Sequence, residues 1–215
     1  MNADQILEIL RQVGAIITDS HIVCKGGKHS ASYINKDMLY ADTIRISTLC
    51  RILARKFQDE KVKTVIAPAI GGVILSQWVA YYLTTFTGKK VSAVYAEKEN
   101  NFFVIKRGYD RFVEGSRVLV LEDVLTTGES ARKVVVATRF AGGEVIGVGA
   151  LCNRGGVTAK KLADVPTLFS LVNMNLEVWL EFECPMCKKG IPINTEVGHG
   201  REYLAQRGEK SEKML

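Results

Sequence analysis

Short apolar runs alternate with amphipathic stretches along most of this chain. From Ala3 to Val13, the residues Ile6, Leu7, Leu10 and Val13 recur at helical spacing and Gly14 supplies a stop, which predicts a short packing helix. From Ile44 to Phe57, Ile46, Leu49, Leu53 and Phe57 repeat at steps of three and four, predicting a helix laid on a sheet. The run Thr64 to Leu83 reads as a strand, a turn at Ala69-Ile70-Gly71-Gly72, and a helix with Leu75, Val79, Tyr82 and Phe86 on one side. Arg117 to Ser130 repeats that plan. Val118 to Leu121 form a continuous apolar strand of the kind covered on both faces, Thr126-Thr127-Gly128 make a polar turn, and Ala131 to Phe140 is an amphipathic run closed by Gly142-Gly143. Val145 to Leu151 and Pro166 to Val172 are further strands. Strands alternating with helices predict an α/β fold with a mostly parallel central sheet flanked by helices, its site at the strand carboxyl ends.

Two stretches break the alternation. His21 to Asp37 combines a glycine turn, Gly26-Gly27, with alternation around Tyr33, which predicts a small hairpin unable to form a core alone. Val91 to Glu97 and Phe102 to Arg107 are apolar runs separated by Lys98-Glu99-Asn100-Asn101, predicting a protruding β-hairpin.

Composition narrows the class without naming a chemistry. A chain of 215 residues, 47% hydrophobic and 24% charged, suits one domain with a full core and small appendages. No basic segment leads into a long apolar run, and no stretch reaches the length of a membrane span, so a cytoplasmic protein with no membrane partner is expected. Five cysteines fit reduced thiols. The net charge of +6 suits anionic ligands, although part of it belongs to the tail REYLAQRGEKSEKML, read as a solvated basic end.

The chemistry concentrates after the central strand. Glu122 and Asp123 stand at its end, where they would repel a bare phosphate and instead suit ribose hydroxyls or a hydrated divalent cation. The hydroxyls of Thr126, Thr127 and Ser130 can donate to phosphate oxygens, and Gly128 lets the backbone come close at a helix N-terminus. A sugar phosphate satisfies both halves. Neither a G-x-x-x-x-G-K-[ST] loop nor a G-x-G-x-x-G after a strand is present. Gly71-Gly72 permit an anion near backbone amides or, equally, a tight packing turn. Arg154, in Asn153-Arg154-Gly155, can grip a planar carboxylate through paired hydrogen bonds. Cys184-Pro185-Met186-Cys187 has metal-knuckle spacing, but one pair is half of a four-ligand zinc site, which His199, Cys24 or Cys152 would have to complete. The segment is therefore read as a reduced turn and no metal ligand is assigned.

EDVLTTGES, Glu122 to Ser130, resembles the phosphoribosyl-pyrophosphate (PRPP) loop of the type I phosphoribosyltransferases. The resemblance implies that Glu122 and Asp123 face the ribose, that the turn through Thr126, Thr127, Gly128 and Ser130 holds the 5′-phosphate, with Val124, Leu125 and Glu129 also in the PRPP site, and that Gly71 and Gly72 form the pyrophosphate loop. Within that family the His21 to Asp37 segment is similar to the hood of orotate phosphoribosyltransferases. Lys25 then matches the lysine reaching substrate anions, Tyr33 and Ile34 match positions lining the base pocket, and Arg154, with Thr126, matches the orotate-binding positions. Lys98 matches the lysine that begins a mobile catalytic loop, often contributed across a dimer. The arginine expected before it is Glu97, and the lysine and histidine expected after it are absent, leaving Lys106 and Arg107 as alternative cations. A CPxC segment and an altered loop resemble the Thermus-type bacterial subgroup. The implied whole is one phosphoribosyltransferase domain, residues 1–215, with a hood near 15–40 and a CPxC extension near 180–215. It would be a homodimer using Mg²⁺, PRPP and orotate, with no nucleic acid. Two alternatives remain: transfer to another nucleobase, and a PRPP-sensing regulator that binds nucleic acid, for which the roughly twenty residues before the hood are too short to make a helix-turn-helix.

Overall fold

The computed structural model describes residues 1–174 and 176–212; the last residues of the basic tail, 213–215, lie outside them. Backbone proximity divides the chain into two compact units, Met1–Leu7 with Asp42–Asn175 and Glu8–Ala41 with Leu176–Leu215.

The chain opens with α1 (Ala3–Gln12). Asn2 and Gln5 cap each other reciprocally, the Gln5 amide donating to Asn2 Oδ1 at 2.9 Å and the Asn2 amide to Gln5 Oε1 at 3.0 Å. Four two-residue strands follow: β1 (Ile16–Ile17), β2 (Ile22–Val23), β3 (His29–Ser30) and β4 (Tyr33–Ile34). β2 and β3 form the expected hairpin, its turn made by Gly26 and Gly27 at φ of 82° and 75°. β1 and β4 make a second antiparallel pair. The short helix α2 (Lys36–Ala41) ends this stretch.

The larger unit begins at α3 (Thr43–Lys56), whose N-cap Asp42 accepts from the Arg45 amide at 2.9 Å. Its predicted stripe, Ile46, Leu49, Leu53 and the following Phe57, is buried to 1% exposure or less. Next come β5 (Thr64–Pro68), α4 (Gly72–Thr87), β6 (Ser92–Glu99), β7 (Phe102–Val104), the short α5 (Asp110–Val113), β8 (Arg117–Leu125), α6 (Glu129–Phe140), β9 (Glu144–Asn153) and β10 (Leu168–Asn173). They build one six-stranded sheet in the order β10-β9-β8-β5-β6-β7, parallel except for the β6–β7 hairpin. Val118 and Val120 join the cluster under α6 with Val134 and Val135, while Leu121 packs beside Leu53 and Phe57 of the opposite layer. Every residue of β5 and nearly every residue of β8 and β9 is buried, as two covered faces require. Each such Val or Leu contributes about 1.5–3 kcal/mol.

On α4 the buried stripe is Leu75, Ser76, Val79, Ala80 and Leu83. Tyr82 and Phe86, expected with it, are half-buried and stack on each other at 5.9 Å, and Arg55 of α3 lies 4.4 Å over the Phe86 ring. Aromatic area there is used between two helices rather than against the sheet.

In the smaller unit the C-terminal segment adds α7 (Pro185–Lys188) and α8 (Gly200–Glu212). The expected hood and the CPxC extension fold together: His29 bridges Trp179 antiparallel and His21 bridges Ile193 in parallel. No helix among the described residues is long and apolar enough to cross a membrane.

Candidate active site

The strand order places β5 beside β8, and the connections leave them in opposite directions: α4 carries the chain from β5 to β6, and α6 carries it from β8 to β9. Such a reversal opens a crevice at the carboxyl ends of the two strands. The ladder between them stops at Ile66 and Val120, whereas β8 continues beside β9 as far as Leu125 and Asn153. Glu122 and Asp123 therefore sit inside a strand that is paired on one side only at that level, three and two residues before its end at Leu125 rather than beyond an end at Leu121. Glu122 continues the row facing α6, and Asp123 the opposite row. Both are buried, at 8% and 7% exposure. The Asp123 amide donates to Glu122 Oε1 at 3.2 Å and the Val124 amide to Asp123 Oδ1 at 2.6 Å, so the carboxylates are braced by their own backbone.

Leu125 is buried and Thr126 and Thr127 are exposed, their hydroxyls available to a ligand. Gly128 takes φ of 79° as the N-cap of α6, and a β-carbon there would lie 2.8 Å from Val157 Cγ1. Both the left-handed backbone and the lack of room require glycine. α6 starts at Glu129, two residues before the amphipathic run, because Thr127 Oγ1 accepts from the Glu129 amide at 3.3 Å and helps begin the helix. Ser130 thus stands in the first turn, whose amides lack intrahelical acceptors and favour an anion. The Glu129 carboxylate is held by Lys133 Nζ at 2.6 Å, which offsets its charge beside those amides.

β9 brings Arg154 to the same edge, at 8% exposure. The amides of Arg154 and Gly155 both donate to Leu125 O, at 3.0 and 3.1 Å. A β-carbon on Gly155 would lie 1.6 Å from Thr126 O, so only glycine lets this corner close on the polar turn. Arg154 and Thr126, distant in sequence, are clamped side by side. On the other flank Gly72 is explained by packing, since its β-carbon would meet Ala67 Cβ at 2.5 Å. The preceding loop carries a cis Ala69–Ile70 peptide, and its Ala69 amide donates to Ala96 O at 2.8 Å.

A family model described as the phosphoribosyl transferase domain matches residues 35–182. The chain is 37% identical over 193 residues to the orotate phosphoribosyltransferase of Caldanaerobacter subterraneus subsp. tengcongensis, covering 90% of this chain and 96% of the relative. The chain belongs to the orotate phosphoribosyltransferase family. The Thermus thermophilus orotate phosphoribosyltransferase is 35% identical over 188 residues, covering 87% of this chain and 97% of that one. The fold matches the crystal structure of orotate phosphoribosyltransferase from Aeropyrum pernix with a TM-score of 0.64 at 24% identity, over 78% of this chain and 93% of that chain. The type I architecture expected from the Glu122–Ser130 loop is therefore the observed one.

β6 runs through Glu99, so Lys98 belongs to the strand, opposite Phe103, and the turn is confined to Asn100 and Asn101. Lys106 is paired with Glu99, and Arg107 Nε donates to Glu97 Oε1 at 2.5 Å, an ion pair that raises the arginine pKa. Lys98 is exposed and makes no ion pair among the described residues. It is the hairpin cation most available to a ligand.

In the smaller unit Lys25 is exposed on the β2–β3 turn, and Tyr33 and Ile34 lie side by side on β4. Neighbours on a strand face opposite ways. Tyr33 retains free surface, whereas Ile34, at 7% exposure, is used in packing. The cysteine pair has companions the spacing did not reveal: His21, His29, Cys184 and Cys187 offer four ligand atoms within 4.8 Å of one another. The residues weighed from sequence to complete a set are not members. His199 faces Glu202 at 3.9 Å, and Cys152 lies in β9, where burial pushes its thiol up to about 12. The signal that could have found the true partners was present: two of the three histidines of the chain flank one short hairpin, HIVCKGGKH.

Proposed function

We propose that this chain is an orotate phosphoribosyltransferase, which moves the 5-phosphoribosyl group of PRPP to a ring nitrogen of orotate, giving orotidine 5′-monophosphate and pyrophosphate for pyrimidine nucleotide synthesis. The observation that supports this reading is the clamp at Gly155, which sets the backbone of Arg154 against a hydroxyl-rich turn at the end of an acid-bearing strand. The bond from C1′ to pyrophosphate breaks as the bond to the base nitrogen forms, through a cationic ribosyl centre, so positioning and charge stabilisation suffice without a covalent nucleophile.

In this assignment Glu122 and Asp123 hold the ribose hydroxyls and favour its developing positive charge. Thr126, Thr127, Ser130 and the first-turn amides of α6 bind the 5′-phosphate. The Gly71-Gly72 loop and Lys98 face the pyrophosphate, Arg154 and Thr126 hold orotate, and Lys25 and Tyr33 of the hood serve substrate binding. Mg²⁺ would suit the hard carboxylate oxygens of Glu122 and Asp123, and when bound it would neutralise the leaving pyrophosphate. The chain is taken as one functional domain acting as a homodimer. The exposed apolar residues Phe102, Val136 and Phe140 support association, which light scattering would test.

Pyrophosphate release measured with orotate, PRPP and Mg²⁺, each omitted in turn, should require all three. Release with adenine or uracil but not orotate would overturn the assignment of the base. Absence of release with every base, together with PRPP-sensitive retention on RNA or DNA, would overturn the enzyme.

A further inference from the structure

The smaller unit contains a cluster that phosphoribosyl transfer does not use. His21 Nε2 lies 2.8 Å from His29 Nδ1, Cys187 Sγ lies 3.5 Å from His21 Nε2 and 3.3 Å from His29 Nδ1, and Cys184 Sγ lies 3.7 Å from His21 Nε2. Bond lengths of about 2.3 Å to sulfur and about 2.0–2.1 Å to nitrogen put the corners of a tetrahedral zinc site about 3.3–3.8 Å apart. The three sulfur-to-nitrogen separations fall at that spacing, the two nitrogens stand closer at 2.8 Å, and all four atoms lie within 4.8 Å of one another. His21, His29 and Cys184 are at most 2% exposed.

We propose that His21, His29, Cys184 and Cys187 bind one Zn²⁺ in a closed tetrahedral site that staples the β2–β3 hairpin to the C-terminal CPxC knuckle.

Three physical features converge on this. First, His21 Nδ1 is 2.6 Å from Ile191 O, an acceptor, so it must carry the proton, and in the neutral ring the lone pair of Nε2 is directed into the cluster, toward His29 Nδ1. Ile191 belongs to the same knuckle, its amide donating to Met186 O at 3.0 Å, so the segment that supplies the sulfurs also orients the histidine. Second, charge balances. Two thiols lose their protons to become thiolates, two imidazoles stay neutral, and the divalent cation cancels the sulfur charges, leaving a neutral buried centre and two protons released to solvent. The nitrogen and sulfur donors are too soft for Mg²⁺ or Ca²⁺, so the site is chemically separate from any cation at Glu122 and Asp123. Third, the unit needs a cross-link. Its strands β1 to β4 are two residues each, and residues as far apart as His21 and Cys184 must be held together, which a small core does poorly alone.

Metal analysis of purified full-length protein should find one zinc per chain. After chelation, Co²⁺ should restore tetrahedral visible bands with a thiolate-to-cobalt charge-transfer band, and Zn²⁺ addition should release two protons per chain. Cys187→Ser and His29→Gln should each lower retained zinc at least tenfold, while Cys24→Ser, on the same hairpin, retains it. Removal of zinc from the wild type should speed amide exchange in residues 21–30 and 181–191 and leave β8 and β9 unchanged. These readouts do not depend on catalysis, so they can fail while orotate transfer stands, and the reverse. A wild-type protein that takes up no stoichiometric zinc, cobalt bands lacking thiolate character, a native Cys184–Cys187 disulfide, or equal metal loss in Cys24→Ser would each overturn the site.

Discussion

Two corners of the central sheet share one plan, strand into glycine-bearing turn into helix, yet they need glycine for different reasons. At the β5–α4 corner Gly72 keeps an ordinary helical backbone and is small because Ala67 leaves no room. At the β8–α6 corner Gly128 is needed for its left-handed φ as well as for space beside Val157. The first corner brings few side chains with chemistry of their own; the second brings two carboxylates, three hydroxyls and, through Gly155, an arginine from the next strand. The shared architecture makes a place for a ligand, and the side chains decide which ligand it is.

That contrast can be broken by substitution. Gly155→Ala should have the largest effect, because a backbone oxygen rather than a side chain occupies the space: a loss of roughly 3 kcal/mol, read by denaturant unfolding, and weakened binding of orotate by the displaced Arg154. Asp123→Asn keeps shape and removes charge, so it should lower kcat by roughly a hundredfold with little change in stability; steady-state kinetics with varied PRPP check this, and an unchanged kcat would remove Asp123 from the chemistry. Gly128→Ala should cost roughly 2 kcal/mol from the left-handed backbone and the Val157 contact together, and the double variant with Val157→Ala should recover only the contact. Gly72→Ala should cost roughly 1–2 kcal/mol as overpacking, and Ala67→Gly in the same chain should restore most of it. A failure of that rescue would mean the two corners are not different in kind. Lys98→Ala should be the mildest, lowering kcat by about tenfold, or about 1.4 kcal/mol, with the unfolding midpoint unchanged.

Legibility in the sequence followed the range of the interaction. The α3 stripe and the apolar runs of β5, β8 and β9 were readable because a helix or a doubly covered strand writes its burial into neighbouring positions. The polar turn was readable because its acids, hydroxyls and glycine are contiguous. Less was visible where elements end. β8 runs on through Leu125 because β9 pairs with it that far, and Tyr82 and Phe86 leave the predicted stripe because α3 offers them a surface. Nothing local encodes either partner.

By itself the sequence determined the parallel α/β plan, the acid-bearing strand with its hydroxyl-rich turn, and the family, since each rests on periodicity or on residues adjacent in the chain. Only the tertiary structure decided that Gly155 locks Arg154 against Thr126, that Lys98 makes no ion pair among the described residues while Lys106 and Arg107 are held by Glu99 and Glu97, and that two histidines near the start meet two cysteines near the end. Such contacts are set by which strand lies beside which and which loops close over them, and residues that share no helix or strand, whether 7 or 166 positions apart, leave no periodic trace of where the fold will bring them.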